Sequence, residues 1–294
     1  MLNPDIAYLL GMTAGKGEII RGENQTKILI MIPHKNLGIE GENTQLSIKA
    51  SFLDIITRLQ PLIGTDLKTN TSNTREAIIY FSKDNEDFLT RTINTFFNNE
   101  NSWRRFRIPD EIFNSSTNIK KEFVRGVADV TGHIRQSNQY YSPLFENRVY
   151  IEIMENWMLV IDIANLLKSL SIPIHTIRFA HPNLVDPRGK DYSRGIRSYK
   201  EHQIKIWAEE FEKIGFNIDH KNKLLVKYAN KNKRNWKRNA PIENSHHKFY
   251  WETRDSSVAK PSHRDEDNLT IYPSIRGKHF NSWREIANAL GYNA

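Results

Sequence analysis

The chain has 294 residues, with 42 lysine and arginine against 34 aspartate and glutamate residues and a formal net charge of +8. This length supports one or two domains, and the absence of cysteine excludes disulfides and cysteine-ligated zinc and fits a cytoplasmic location. Residues 157–170 are the most apolar run, but Asp162 and Lys168 interrupt it, so no membrane-spanning segment is predicted. A basic protein most often binds a polyanion, nucleic acid first, although a merely basic surface would carry the same charge.

A helix is predicted to begin near the N-terminus and to end at a glycine. Asn3 is a good N-cap, and Pro4 suits the first helical turn. Gly11 and Gly15 lie four residues apart and therefore share one face, which has no side chain to hold a neighbouring backbone away. Gly17 ends the helix. We call this segment the first motif helix.

Strands and helices alternate through the rest of the first hundred residues. Runs of apolar and β-branched residues predict strands over 19–22, 26–33 and 77–81. Helical spacing of apolar residues predicts helices over 46–62, where Pro61 and Gly64 end the pattern, and over 88–97.

The same order of elements returns after a linker at 101–116. In the second motif helix, predicted from about 117 to 131, Gly126 and Gly132 match Gly11 and Gly17 without a gap. Strands over 133–137 and 148–154, a helix over 157–170, a strand over 174–179 and a helix over 200–214 follow. Repetition of this kind indicates internal duplication. We therefore predict an α/β (α+β) fold of two repeats, at residues 1–100 and 117–218.

Residues 219–294 are predicted to form a basic appendage that contacts DNA, ending in a short helix over 280–290. Residues 221–238 hold eight lysines or arginines and no acidic residue, which favours phosphate contact over a merely solvated face. A further cluster of metal-ligating residue types matches no metal-site spacing, so the DNA-clamping interpretation is preferred for this region. That cluster consists of His246, His247, Glu252, Asp255 and His263.

The paired motif helices and the repeated element order resemble the LAGLIDADG family of homing endonucleases, in its single-chain, two-repeat form, over residues 3–216. The resemblance implies a monomer in which the motif helices pack on a pseudo-two-fold axis and antiparallel sheets form a saddle over the major groove of double-stranded DNA. It also implies Mg²⁺ as cofactor, because the residue before each final glycine of the motif is normally acidic in that family. In this chain those two positions hold Lys16 and Thr131.

Three hypotheses about activity follow from that departure. In the first, the protein is a homing- or restriction-type endonuclease with a rearranged site, in which Glu18 and Asp129 bind the metal and Lys16, Thr131 and His133 complete the catalytic set. In the second, it binds DNA without cutting it, as a regulator, or binds RNA as maturases do. In the third, Lys16 is the nucleophile of a DNA glycosylase or lyase.

Each candidate residue also has a structural explanation. Asp129 lies near a helix end and could simply form an ion pair with a neighbouring basic side chain. Glu18 could be a solvated residue facing the DNA groove. His133 could contact a nucleobase or be structural.

Basic side chains of the strands, the linker, the loops and the C-terminal region are predicted to contact DNA, with one tryptophan stacking. These residues are Lys27, Arg104, Arg105, Arg107, Arg135, Arg148, Arg188, Lys190, Arg194, Lys231, Lys233, Arg234, Trp236, Lys237 and Arg238.

Overall fold

The computed structural model describes residues 2–38, 44–72, 75–98, 100–136, 147–174, 176–178, 201–239 and 251–252. The first repeat consists of α1 (Pro4–Lys16), β1 (Gly17–Arg21), β2 (Gln25–Pro33), α2 (His34–Leu37), α3 (Thr44–Ile63), β3 (Lys68–Asn70), β4 (Glu76–Asp84) and α4 (Phe88–Phe97). The second repeat follows α5 (Asp110–Phe113) and consists of α6 (Thr117–Thr131), β5 (Gly132–Gln136), β6 (Asn147–Met154), α7 (Trp157–Ser169), β7 (Thr176–Arg178), β8 (Glu201–Trp207) and α8 (Ala208–Phe211). The remaining elements are a 3₁₀ turn after α3 (Gly64–Asp66), α9 (Asp219–Asn239) and β9 (Trp251–Glu252).

Two separate sheets carry the repeats. The first has the strand order β1-β2-β4-β3 and the second the order β5-β6-β8-β7-β9. All pairings are antiparallel except that of β7 with β9. The predicted α/β architecture of two repeats with antiparallel sheets is therefore confirmed. No helix within the described ranges is long and apolar enough to cross a membrane.

The two motif helices, α1 and α6, touch backbone to backbone at their glycines. A Cβ atom added to Gly11 would lie 2.0 Å from the carbonyl oxygen of Phe123, and one added to Gly126 would lie 2.1 Å from that of Tyr8. The two contacts are equivalent under the pseudo-two-fold relation, because Tyr8 and Phe123 precede their glycines by the same three residues. Only glycine permits this approach, so the small-residue face predicted for α1 is the contact between the repeats.

The helix predicted over 200–214 is wrong for most of its length. Residues 201–207 form β8, which pairs with β6 on one side and β7 on the other, and the only helix the structure describes in that range is the single turn of α8. Ile204 and Ile206 are fully buried on the face that packs on the helices, and Gln203 and Lys205 are buried on the opposite face. Residues 203–206 do alternate between polar and apolar side chains, as a strand requires, and pairing with β6 and β7 decides for the strand over the predicted helix.

Smaller differences concern the ends of elements and the linker. Pro61 lies within the last turn of α3 instead of ending it. The linker pairs with the edge of β1, because the Ile19 amide donates to the Asn101 carbonyl at 2.8 Å and the Trp103 amide to the Gly17 carbonyl at 3.2 Å. The segment 280–290, predicted as a helix, lies outside the described residues, and the boundary at 218/219 stays a prediction.

Candidate nucleic-acid interface

Each sheet has one face packed on the helices and a second face, here called the outer face. In β2, buried Ile28 and Ile30 alternate with the more exposed Lys27, Leu29 and Met31, as side chains of a strand must. The outer face of the first sheet carries Glu18, Ile20, Lys27, Leu29, Met31, Ile78, Tyr80 and Ser82. The outer face of the second sheet carries His133, Arg135, Arg148, Tyr150, Glu152, Gln203, Lys205 and Trp207.

The two outer faces can be superposed position by position from strand register alone. Gly17 pairs with Ile30 in the first sheet, and Gly132 pairs with Ile151 in the second. The next strands continue the match, since Ile30 pairs with Ile79 and Ile151 with Ile204. Every outer residue of β1, β2 and β4 therefore has an equivalent in β5, β6 and β8.

Aromatic rings hold the basic groups of the second outer face. The guanidinium carbon of Arg135 lies 4.4 Å from the ring centroid of Tyr150, and that of Arg148 lies 4.2 Å from the centroid of Trp207. The two rings are buried, whereas both arginines are partly exposed. A guanidinium stacked in this way loses less conformational entropy on binding, and arginine suits both phosphates and guanine edges.

His133 and Glu152 form a cluster beside the end of α6. The His133 ring stacks on Tyr150 with 5.2 Å between centroids, and its Nδ1 lies 3.8 Å from a Glu152 oxygen. Burial lowers the pKa of His133 to about 4, so the ring is neutral at pH 7. Glu152 also accepts hydrogen bonds from Lys35 Nζ at 2.5 Å and from Gln203 Nε2 at 2.8 Å. Because Lys35 belongs to α2, this cluster joins the two repeats.

The two motif helices end in different chemistry. Lys16 Nζ lies 2.9 Å from Glu76 Oε2 in a partly buried ion pair. Thr131 is buried, and its hydroxyl donates to the Val127 carbonyl at 2.7 Å. The first helix therefore ends in a paired ammonium, whereas the residue at the end of the second carries no charge.

Asp129 lies in the core and not at the surface. It is fully buried, and one of its oxygens accepts hydrogen bonds from Tyr8 Oη at 2.7 Å and from the Asn217 amide at 3.1 Å. Burial raises its pKa, against the opposing effect of Lys221. This placement does not fit metal ligation; it fits the structural explanation of the residue.

Lys221, at the start of α9, completes this buried site. Its ammonium donates to the Gly132 carbonyl at 2.8 Å and lies 3.4 Å from the Ala128 carbonyl, where it caps the end of α6. Burial lowers its pKa to about 8. In the sequence Lys221 is one of eight cations between residues 221 and 238, and no local signal distinguishes it from its exposed neighbours.

Glu18 is the predicted metal ligand that the structure leaves accessible. Arg104 Nη1 lies 3.5 Å from Glu18, and Arg104 Nε lies 2.9 Å from Glu155. These two carboxylate side chains are 39% and 41% exposed. Glu18 and Asp129 are thus not brought together, and one arginine of the linker bridges acids of both repeats.

The residues at the two helix ends do not fit Mg²⁺. That ion requires oxygen ligands in octahedral geometry, whereas Lys16 supplies an ammonium, Thr131 donates its hydroxyl to a carbonyl and Asp129 is enclosed. Across the residues with described coordinates, no group of three or more histidine, aspartate or glutamate side chains is arranged to hold a metal.

The other predicted DNA contacts fall into three groups. Arg107 makes a bidentate pair at 2.7 and 2.8 Å with the fully buried Asp162. Arg105, Lys231, Lys233 and Arg234 are exposed, as is Arg104, and Lys27 is partly exposed over the Tyr80 ring. The remaining predictions concern residues or side chains that the structure does not describe. They are Arg188, Lys190, Arg194, Trp236, Lys237, Arg238 and the cluster of His246, His247, Glu252, Asp255 and His263.

The chain matches no family model and no curated protein. Three similar solved structures are a variant of I-DmoI in complex with its target DNA in the presence of manganese, the LAGLIDADG meganuclease I-AabMI bound to uncleaved DNA, and the LAGLIDADG homing endonuclease I-SmaMI bound to cleaved DNA. Their sequence identities are 14%, 11% and 9%, with TM-scores of 0.41, 0.41 and 0.38. The matches cover 75%, 96% and 80% of this chain and 97%, 100% and 89% of those chains. The helix pairing, element order and strand register of the chain itself describe an α/β fold of two repeats with antiparallel sheets.

Proposed function

We propose that this protein recognises a specific sequence in double-stranded DNA. The observation that carries the proposal is the pair of sheets with identical register on either side of the α1–α6 contact. Strands that present alternate side chains fit the major groove, where all four base pairs are distinguishable. Two such sheets about a pseudo-two-fold axis suit two consecutive half-sites of one duplex.

Partly exposed and exposed cations would position the duplex. Arg135 and Arg148 are held on rings, and Arg104 and Arg105 lie on the linker between the repeats. Each phosphate contact releases condensed counterions, so we expect the observed affinity to fall steeply with salt.

Endonucleolytic cleavage, of homing or restriction type, is a second candidate function. The observation that favours it is the accessible pair of carboxylates, Glu18 of the first repeat and Glu155 of the second, which both form ion pairs with Arg104. Because the helix ends do not fit Mg²⁺, no metal-dependent step is assigned to Lys16, Asp129 or Thr131. Recognition without cleavage is favoured by the ion pair of Lys16 with Glu76.

A randomised duplex library separates these functions. The protein is incubated with the library in Mg²⁺ or Mn²⁺, the bound fraction is sequenced, and free DNA ends are mapped. We expect one consensus in the bound fraction; discrete ends within it would establish cleavage. Enrichment no better than that of random duplexes would overturn sequence recognition.

Variants and alternative nucleic acids sharpen the result. If cutting occurs, Glu18→Gln and Glu155→Gln should reduce it, whereas Glu111→Gln, at an exposed acid on α5, should leave it unchanged. Duplex RNA of the consensus sequence should bind weakly, because the major groove of A-form RNA is too narrow for a strand. Tighter binding to RNA would favour the maturase-like hypothesis, and a borohydride-trapped adduct of Lys16 with abasic DNA would favour the lyase hypothesis.

A further inference from the structure

The two outer faces differ in polarity at the positions where the repeats should be most alike. Five equivalent pairs lie in the middle of the sheets and are given by the strand register. They are Ile20 and Arg135, Leu29 and Tyr150, Met31 and Glu152, Ile78 and Gln203, and Tyr80 and Lys205. In all of these pairs except Leu29 and Tyr150, the second repeat has a charged or amide side chain where the first has an aliphatic, thioether or tyrosine side chain.

The apolar residues of the first outer face are contiguous. Leu29 lies directly opposite Tyr80, and Met31 lies directly opposite Ile78 on the neighbouring strand. Ile20 extends the patch along β1 and is 53% exposed. Leu29, Met31, Ile78 and Tyr80 are partly exposed, and neighbouring apolar side chains left exposed on one sheet face are typical of a binding surface.

Two lysines lie at the margin of the patch, and Glu18, which lies opposite Leu29, is paired with Arg104; this balance of charge indicates a polyanionic partner. Lys68 on the edge strand β3 pairs in register with Tyr80 and is exposed. Lys27 lies opposite Ile20, with its ammonium 4.9 Å from the centroid of the Tyr80 ring. The strand positions that form the patch are equivalent to those of the second outer face, which carries Arg135 and Arg148. An apolar protein partner would gain nothing from this rim, whereas a duplex would place phosphates on it and base edges on the patch.

The apolar group that DNA exposes in the major groove is the C5-methyl of a pyrimidine. Thymine carries it, 5-methylcytosine carries it in the same position, and no unmodified G·C pair has an equivalent. Aliphatic side chains and the methionine thioether can bury such a methyl, but they cannot hydrogen-bond to a base edge.

We infer that the first outer face reads C5-methyl groups in its half-site, whereas the second reads hydrogen-bonding edges through its partly exposed Arg135 and Arg148, since Glu152, Gln203 and Lys205 are buried. This inference rests on the proposed function and deepens it. The predicted target is therefore asymmetric in chemistry, with one half rich in thymine or in 5-methylcytosine and the other defined by donors and acceptors.

The test begins with the consensus duplex selected from the randomised library. The chain contains no cysteine, so a single Ser82→Cys substitution can carry a photo-crosslinker that identifies the half-site under the first sheet. Thymines of each half are then replaced by deoxyuridine, which removes only the methyl. We expect the Kd to rise about fourfold for each methyl lost in the first half, and less than about twofold for the whole of the second half.

Two further arms identify the source of the methyl and the residues that read it. Replacing cytosines of the first half by 5-methylcytosine should tighten binding if methylated cytosine is the natural ligand, and should not tighten it if thymine is. Ile78→Gln, which copies the residue of the second repeat, should abolish the deoxyuridine effect. Leu53→Gln, at an apolar side chain that is 64% exposed on α3, is the matched control and should preserve the effect.

The outcomes separate the inference from the function beneath it. A consensus whose two halves tolerate deoxyuridine equally would overturn methyl reading and leave DNA recognition intact. Absence of any consensus would overturn both. If Ile78→Gln changed the oligomeric state and left the deoxyuridine effect intact, the patch would be a contact between copies of the chain and the inference would be wrong.

Discussion

The ends of the two motif helices show how far duplicated segments can diverge when their packing is preserved. At the contact, Gly11 and Gly126 are equivalent and meet equivalent carbonyls. One turn further on, the position of Ala14 in α1 is occupied by Asp129 in α6, which is held by Tyr8 and by the Asn217 amide. Because the two backbones approach closely, no side chain fits at the glycine positions, so these residues cannot change. At the helix ends the choice of residue is restrained only by the groups that contact it.

The two ends also differ in what supports them. The α1 end carries its own cation, Lys16, which pairs within the first repeat with Glu76. The α6 end has no basic residue in its last turn and receives a cation from α9, through Lys221. Negative charge at a helix C-terminus is stabilised by a cation in either case. For the cation at its motif-helix end, the second repeat therefore depends on α9, whereas the first repeat supplies its own.

The largest effect is expected at the contact that both repeats share. Gly11→Ala or Gly126→Ala would drive a Cβ into a backbone carbonyl, and we expect each to lower the free energy of unfolding by about 3 kcal/mol or more, as measured by urea denaturation. Gly15→Ala is the control, because the nearest atom its Cβ would meet belongs to the Thr131 side chain, at 3.1 Å. Equal losses at Gly11 and Gly15 would mean that the backbone contact is not what holds the repeats together.

A smaller and asymmetric effect is expected at Lys221. Lys221→Met keeps most of the buried stem but leaves the Gly132 carbonyl without its donor and Asp129 without its cation. We expect a loss of about 2–3 kcal/mol in the free energy of unfolding. Lys223→Met, at an exposed lysine on the same helix, should cost almost nothing. A neutral Lys221→Met variant would contradict the dependence of α6 on α9.

The acid sensitivity of the repeats should differ as well. His202, fully enclosed in β8, has its pKa lowered to about 4 by burial, and Ala77 occupies the equivalent position of β4. Because the unfolded state binds the proton more tightly, the stability that neutral His202 allows is present above about pH 6.5 and is lost as the pH falls toward about 4. We expect about 2 kcal/mol of that loss between about pH 7 and pH 5.

Hydrogen exchange can locate this loss. Amides of β8 should lose protection before those of β4 as the pH is lowered, and His202→Gln should reduce the difference. Equal loss of protection in both strands would show that the acid response is not specific to the second repeat.

The smallest effect concerns equivalent cations of the outer faces. Lys27→Gln and Arg148→Gln should each lower the slope of log affinity against log salt by about one if the side chain contacts a phosphate. Lys49→Gln, on the exposed side of α3, should leave the slope unchanged. Unlike Lys27, Arg148 is held on a buried tryptophan, so relaxed sequence preference in Arg148→Gln alone would assign it to base reading.

Local signals predicted much of the fold because they act over a few residues. Asn3, Pro4 and Gly17 define α1 as the structure has it, with the Asn3 side chain accepting from the Ile6 amide at 2.8 Å. The apolar spacing that predicted residues 88–97 as a helix is that of α4. The failure at β8 came from extending one helix across residues 200–214, although residues 203–206 alternate between polar and apolar as a strand does. Pairing with β6 and β7, which are distant in the chain, made this segment a strand.

The candidate site was less predictable, because its geometry depends on distant partners. Glu18 is accessible, as both metal binding and a solvated position would require. Asp129, in contrast, is enclosed by Tyr8 and Asn217, which lie 121 and 88 residues away in the sequence. Arg107, predicted to contact DNA, is paired with Asp162, 55 residues along the chain. No spacing rule relates such residues in sequence.

The amino-acid sequence by itself determined the duplication, the glycine contact between the motif helices, the basic charge and the absence of acidic residues at Lys16 and Thr131. Each of these is a property of residue identity or of short-range periodicity. Tertiary structure decided that Asp129 is a core residue, that Lys221 supports α6, and that the two outer faces differ in polarity at equivalent positions. These depend on strand register and on burial, which arise only when segments far apart in the chain pack together.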